Sequence, residues 1–453
     1  MLRRWLVSAL VLSLAPLAMS FSSVAGSSVL GTGRYIVVLK DSAAASDVAG
    51  TATGLGATVD SLFGTVNTLV LSLPLTDLGT LRHDPRVAYV TPDRPVRLLD
   101  ASTSAVRQSS VPTGVARIGA APALNPDGTV APATTGPAKK AAVALLDTGI
   151  MNRPDLNVVG GYDCAPTSSG FLGGLLGSGG DSGGGSAGST ADDNGHGTHV
   201  AGIVADKGIP GVVGVSPGTP LYAVRVFGAD GSGSVSSVIC GLNWVAQNAA
   251  ADNIKVVNLS LGGEGTNDGD CGNTDGDPFH TAICRATDAG VTVVVAAGND
   301  GGDLANTTPA AYEEVLAVTA MADFDGKPGG LATTAPCSDG GHDDTAADFS
   351  DYAAPDSPET NHVIAAPGVC ITSTWNDGGV KTISGTSMAS PHVAGLVARC
   401  IDAGPCAGMT PAQIIAKFRA DAAARPADQG FLGDSHRPID GKYYGNLADD
   451  VGY

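Results

Sequence analysis

Positive charge is in short supply in this chain. Its 453 residues carry 25 Lys and Arg against 44 Asp and Glu, a formal net charge of −19. Nucleic-acid phosphates and anionic membrane surfaces both call for clustered cations, so neither is an expected partner. Past the first two dozen residues there is no apolar run long enough to span a bilayer. No C-x-x-C occurs, which removes the usual signature of zinc ribbons and thioredoxin-type redox sites. H-E-x-x-H is missing too, so the His196 and His199 pair, spaced i, i+3, does not read as a zinc site. Charged residues are only 15% of the chain while hydrophobic ones are 43%, so a sizeable core is expected and global disorder is not.

Glycine, by contrast, is plentiful. The 63 glycines are about twice the usual share, and without a G-X-Y period they point to loops and tight turns rather than collagen. The N-terminus has a basic pair, Arg3 and Arg4, then an apolar stretch from Trp5 to Ala18, then Ser23-Val24-Ala25 as a small-x-small cleavage pattern. This predicts a signal peptide over 1–25 and a secreted, extracellular protein, with the general and twin-arginine export routes both open. Cysteine is missing from the first 163 residues, and all eight cysteines lie between Cys164 and Cys406. An even set in an exported chain favours disulfides. Proximity suggests Cys400–Cys406 and Cys271–Cys284, Cys337–Cys370 would close an acidic insertion, and Cys164–Cys240 follows by elimination.

Two bodies are expected. Residues 33–100 read as a small α+β module, with strands at 34–40, 66–73 and 87–90 and a short helix at 77–82. Pro92 and Pro95 break that pattern, and the Ser- and Ala-rich stretch 101–110 reads as a linker. From Ala141 onward, apolar strands at 142–146, 221–226, 256–261, 291–296 and 315–319 alternate with helices at 196–205, 235–248 and 387–401. Such alternation predicts an α/β fold with a central parallel sheet covered on both faces and sites at the carboxyl ends of strands. Segments 170–194 and 329–348 read as surface insertions.

Three segments carry the chemistry. Leu145-Leu146-Asp147-Thr148-Gly149 puts an aspartate at a strand end. Asn194-Gly195-His196-Gly197-Thr198-His199-Val200-Ala201-Gly202 opens a helix with His196. Gly385-Thr386-Ser387-Met388-Ala389-Ser390-Pro391-His392-Val393-Ala394-Gly395 opens another with Ser387. Peptide hydrolysis at neutral pH needs an activated nucleophile, a base near pKa 7 and a group that fixes the base's tautomer. Pro391 is placed early in its helix, where backbone N–H groups have no intrahelical acceptor. His199 and His392 read as packing residues, and His280, His342 and His362 as loop residues.

These segments, in the order Asp, His, Ser, resemble the signatures of the subtilisin-like serine proteases, from about Val111 to the C-terminus. The resemblance implies a subtilisin-like three-layer fold over 111–453 and a catalytic triad of Asp147, His196 and Ser387. It implies an oxyanion hole formed by Asn299, in Ala296-Ala297-Gly298-Asn299-Asp300, and the Ser387 backbone N–H. Substrate-binding strands are implied at Gly231-Ser232-Gly233 and Ser260-Leu261-Gly262-Gly263. Leu261, Gly262 and Gly298 would line a first pocket suited to large apolar residues. The module at 33–100 is similar to the family's inhibitory propeptide, with a self-made cut expected between about Leu98 and Ser109. The mature start would lie near Gln108 to Pro112.

Other readings are weaker on the residues. Gly180-Asp181-Ser182-Gly183-Gly184 spells a chymotrypsin-type nucleophile motif, but it lies in a low-complexity run and the only preceding histidine is His83. A G-x-S-x-G elbow fails at Ser387 because Ala389 takes the last position. Glu264 and Asp300 keep a processing protease with basic preference in view, and a catalytically silent scaffold is the remaining alternative. No cofactor is required for catalysis. Structural calcium is a possibility at 267–277 and 339–344, and Asp155 matches an aspartate of a family calcium site. The site loop at Asp206-Lys207-Gly208-Ile209-Pro210 lacks that family's asparagine. Protein or peptide substrates, the chain's own propeptide as inhibitor, and a monomeric state complete the expectation.

Overall fold

A computed structural model describes residues 31–64, 66–100, 102–104, 111–121, 140–165, 190–208, 212–337 and 341–453. The expected signal peptide, most of the 170–194 insertion and the Ser182 motif lie outside these residues.

The N-terminal module comprises β1 (Thr32–Leu39), α1 (Ala45–Gly54), β2 (Thr58–Phe63), β3 (Thr68–Pro74), α2 (Leu78–Arg82) and β4 (Val87–Pro92). Its antiparallel sheet runs β2-β3-β1-β4. One sheet face, with Val37, Leu69, Leu71 and Leu73, closes over Val48 and Ala52 of α1 and Leu81 of α2. α1 and β2 are weak in sequence: α1 is rich in Gly and Thr, both poor helix formers, and buries only Val48 and Ala52. Two short strands follow, β5 (Pro95–Leu98) and β6 (Ser102–Ser104), and then α3 (Thr113–Arg117). The 101–110 stretch is therefore not wholly a linker: its β6 segment is sheet.

The larger body contains β7 (Ala142–Asp147), β8 (Val158–Asp163), α4 (His196–Ala205), β9 (Leu221–Arg225), β10 (Ser232–Ser234) and α5 (Val235–Asp252). It continues with β11 (Ile254–Leu259), β12 (Leu261–Glu264), α6 (Pro278–Asp288), β13 (Thr292–Ala296), β14 (Thr307–Thr308) and β15 (Val315–Ala322). It ends with β16 (Thr345–Ala346), β17 (Val363–Pro367), β18 (Ile371–Thr374), β19 (Val380–Ser384), α7 (Thr386–Ala403) and α8 (Pro411–Ala423). Parallel pairing orders the main sheet β17-β15-β13-β11-β7-β9-β8, with β16 antiparallel on β15. Its strands read as continuous apolar runs because both faces are covered: Val143 and Leu145 point into the layer of α4 and α7, while Ala142, Ala144 and Leu146 point to that of α5. This is the expected three-layer α/β fold.

β7 lies where the strand order reverses, β9 on one side and β11 on the other. The carboxyl end of such a strand opens on a crevice, and Asp147 is the last residue of β7. The four expected disulfides, Cys164–Cys240, Cys271–Cys284, Cys337–Cys370 and Cys400–Cys406, all form. Among the described residues no helix is long and apolar enough to cross a membrane.

Candidate active site

β7 delivers Asp147 to the bottom of the crevice, fully buried, with its Oδ1 accepting the Thr148 N–H at 2.7 Å. Burial pushes its carboxyl upward against the pull of His196. His196 opens α4, and its Nδ1 lies 2.7 Å from Asp147 Oδ1. The helix starts there because Asp192 takes its free donors: the Gly195 N–H at 2.7 Å, and the Thr198 N–H at 2.9 Å and hydroxyl at 2.6 Å. Asp192 was not among the expected site residues, although an aspartate just ahead of a helix start is a readable capping signal. Gly195 before the helix sits at φ +115, and a side chain there would run into Trp375.

Ser387 is the second residue of α7. Its hydroxyl donates to the Ser260 carbonyl at 3.0 Å and accepts the Leu99 N–H at 3.2 Å. Ser390, one turn on, is turned away and donates to Asn258 Oδ1 at 2.7 Å. Asn299 is locked by its Oδ1, which accepts the Thr386 N–H at 3.0 Å and hydroxyl at 2.8 Å. With the oxygen so engaged, its Nδ2 is left to donate to the Leu99 carbonyl, which also takes the Ser387 N–H at 3.4 Å. Asp351 braces this loop by accepting the Asp300 N–H at 3.0 Å, the Gly302 N–H at 2.9 Å and the Thr307 hydroxyl at 3.1 Å. Nothing local in the sequence marks Asp351 for that role.

The chain's own residues 95–100 run through the cleft. β5 pairs antiparallel with β10 on one side and with β12 on the other, Arg97 facing both Ser232 and Gly262. Gly231 precedes β10 in a turn at φ +75, and a Cβ there would sit 3.2 Å from Leu98 Cδ1. A Cβ on Gly262 would lie 3.1 Å from Leu99 Cδ1, so this glycine keeps room for the Leu99 side chain, which is 2% exposed. Gly233 pairs with Val96, and Leu261 with Leu98. Beyond Asp100, β6 pairs antiparallel with β19, Ser102 facing Ser384. The module is anchored nearby: Asp93 accepts the Ser236 N–H at 2.9 Å and hydroxyl at 2.7 Å at the start of α5. Ile36, Phe63, Val66 and Val70 share an apolar cluster with Val238 and Leu242 of that helix.

Ser260 lies between β11 and β12, next to the Leu261–Leu98 pair, and exchanges hydrogen bonds with Ser387; Gly298, at φ +124, packs against Asp351. Asp300 pairs with Arg97, two residues before Leu99. His280 is not a loop residue: it is buried in α6, stacked on Tyr312 at 4.1 Å between Asp268 at 3.0 Å and Glu314 at 2.8 Å. His362 is buried as well, its Nε2 2.9 Å from the Ala310 carbonyl.

Several of the acidic residues named for calcium have their oxygens held by other donors. Asp268 accepts the N–H groups of Asp270, Gly272, Thr274 and Asp275, which outweigh burial and hold its carboxyl down at about 2. Asp155 is held by Arg153 at 2.6 Å. Asp343 accepts the Phe324 and Ala332 N–H groups and Asp344 those of Gly329 and Gly330. Asp323, Asp325 and Asp343 do converge within 4.8 Å, but the cation there is buried Arg117, 3.1 Å from Asp323.

Residues 138–436 match the model of the subtilase family. The chain is 35% identical over 337 residues to an alkaline protease of Shouchella clausii, covering 74% of this chain and 69% of that protein. To subtilisin Savinase of Lederbergia lenta it is 37% identical over 290 residues, covering 64% and 83%. To an extracellular serine proteinase of a Thermus species it is 34% identical over 362 residues, covering 79% and 72%. Among solved structures, a psychrophilic protease aligns with a TM-score of 0.55 at 28% identity, over 77% of this chain and all of that one (100%). Fold and matches together define a serine endopeptidase, which needs no cofactor for its chemistry. The chain belongs to the subtilase family.

Proposed function

We propose that the protein is a secreted endopeptidase, made as an inhibited precursor, that cuts itself between Leu99 and Asp100. The observation that carries this reading is the Leu99 carbonyl, held by Asn299 Nδ2 and the Ser387 N–H with Ser387 Oγ beside it. In this mechanism Ser387 Oγ turns from the Ser260 carbonyl to His196, gives Nε2 its proton and attacks the Leu99 carbonyl carbon. Asp147 holds the Nδ1–H tautomer and stabilises the imidazolium. Asn299 and the Ser387 N–H take the oxyanion. His196 then returns its proton to the Asp100 nitrogen, the C–N bond breaks, and water releases the acyl-enzyme by the same route. The β5 insertion supports inhibition, since the tail fills the strand position a substrate would take. Secretion is supported by the extracellular name of one relative and by the four disulfides. Leu99 in its buried pocket supports a large apolar preference before the cut, and the Arg97–Asp300 pair moves any basic preference two residues upstream.

The test is full-length Ser387→Ala, expected to accumulate uncut while the parent shortens at a rate independent of protein concentration. N-terminal sequencing should find Asp100 as the first new terminus, and a fluorophosphonate should label Ser387 and not Ser182. A Ser387→Ala precursor that matured normally without other proteases would overturn self-processing.

A further inference from the structure

The imidazole of His196 is flanked by carboxylates at both nitrogens. Asp147 Oδ1 stands 2.7 Å from Nδ1, and Asp100 Oδ1 stands 3.0 Å from Nε2. A neutral ring has one N–H, so it would turn a lone pair towards one of these carboxylates; only the imidazolium presents a proton to each. The base cannot act in that form, because Nε2 has to be free to receive the Ser387 proton. Ser387 Oγ donates to the Ser260 carbonyl and not to His196, and Asp100 meets Nε2 as a close ion-pair contact rather than through an aligned hydrogen bond.

The surroundings leave this pairing uncompensated. His199, on the same helix, is buried and held neutral, its pKa pushed down to about 3 chiefly by burial. Asp192, in the loop ahead of α4, acts on Asp147. Lys381 on β19 acts on Asp100 but bonds to neither group; its ammonium lies over the Trp375 ring at 4.1 Å. Burial opposes the charge on His196, yet Asp100 and then Asp147 outweigh it and raise its pKa well above the ordinary value.

We infer that the residue following the cleaved bond controls the catalytic base: a carboxylate there holds His196 protonated, so Asp100 delays cutting of the chain's own junction, and the mature enzyme discriminates against aspartate at that position in other substrates. This rests on the reading that Leu99–Asp100 is the bond cut. The delay is a proton equilibrium. His196 loses its Nε2 proton to solvent before it can take the one from Ser387, and the latter proton then leaves on the Asp100 amine. Once the bond is cut, the new terminus departs from the cleft and takes its carboxylate with it, so the restraint acts only on the first turnover of each molecule.

An opposite charge this close shifts a pKa by about 1–3 units, and Asn keeps the shape without the charge. The experiment follows self-cleavage of the full-length chain from pH 5 to 10 for the parent and Asp100→Asn. The parent's acid limb should lie about one pH unit or more above that of Asp100→Asn, making it roughly tenfold slower at the low end, with the two converging at high pH. Superimposable profiles, or a slower Asp100→Asn, would overturn the inference. The mature enzyme supplies a second arm: two peptides differing only in Asp or Asn after the cut should show the same displacement in the pH profile of kcat. The peptide's own carboxyl titrates near ~4, outside that window. If N-terminal sequencing shows a first cut elsewhere, the junction reading fails, and the peptide pair still decides for or against control by the carboxylate.

Discussion

The carbonyl of Ser387 accepts the Ser260 hydroxyl at 2.8 Å, and it is free to do so because residue 391 is proline. In an uninterrupted helix the N–H of residue 391 would take that carbonyl; proline has none. Pro391 is thus not a first-turn residue, as its closeness to Ser387 suggests. It removes one helical bond and opens an acceptor that ties α7 to the strand carrying the cleft. Asn258 extends the tie, its Nδ2 donating to Ser260 Oγ at 2.9 Å.

Ser260→Ala should leave that buried carbonyl unsatisfied at a cost of about 1–3 kcal/mol. Pro391→Ala restores an N–H in register, so combining the two changes should cost less than their sum. Urea unfolding in a Ser387→Ala background, where autolysis is excluded, measures this. Strict additivity would show that the two residues do not share the acceptor.

Asn299→Ala should lower kcat by roughly 10²–10³ with little change in KM, a magnitude established on subtilisin itself. In the proposed mechanism the amide acts on charge that develops only during reaction. A change confined to KM would instead make Asn299 a ground-state binding residue.

Asp300→Asn should weaken cleavage of substrates with Arg or Lys two residues before the first-pocket residue by about two- to fivefold, and leave others unchanged. The Arg97–Asp300 pair that motivates this is solvent-exposed on both sides, so only a modest effect is expected. Cleavage of a mixed peptide library by parent and variant reads it. The same profile should favour large apolar residues immediately before the cut; strict Arg or Lys there would point to the processing-protease alternative.

His392 is buried in α7 with Nδ1 2.8 Å from the Met388 carbonyl, and burial pushes its pKa down to about 4. Unfolded, it titrates near ~6.5. Between those values the unfolded chain holds the extra proton, so this residue's stabilisation is complete above the unfolded pKa and is lost as pH falls towards the folded one. In a Ser387→Ala background, the stability difference between the parent and His392→Gln should therefore widen from pH 4 to 7, by on the order of 2–3 kcal/mol. Urea unfolding at each pH provides the measurement, and a constant difference would contradict the assignment.

What the sequence determined by itself is what short-range chemistry encodes. Continuous apolar strands alternating with helices specify a covered parallel sheet, because burial on both faces removes polar positions from strands such as Val143 to Leu146. α4 begins at His196 as read, since a capping aspartate and a glycine precede it. The disulfide partners were legible because few cysteines compete. The tertiary structure alone decided which bond of the 98–109 stretch lies against Ser387, since that depends on the length of strand the cleft grips between Pro95 and Leu98. It also placed Asp300 on Arg97, buried His280 between two carboxylates, and set Asp351 behind the Asn299 loop. A count of carboxylates at 267–277 does not register the backbone N–H groups that wrap Asp268, because their directions exist only once the loop is folded. Asp100 shows the same limit: an ordinary residue at the end of the N-terminal module comes to face His196 only when distant segments close around it.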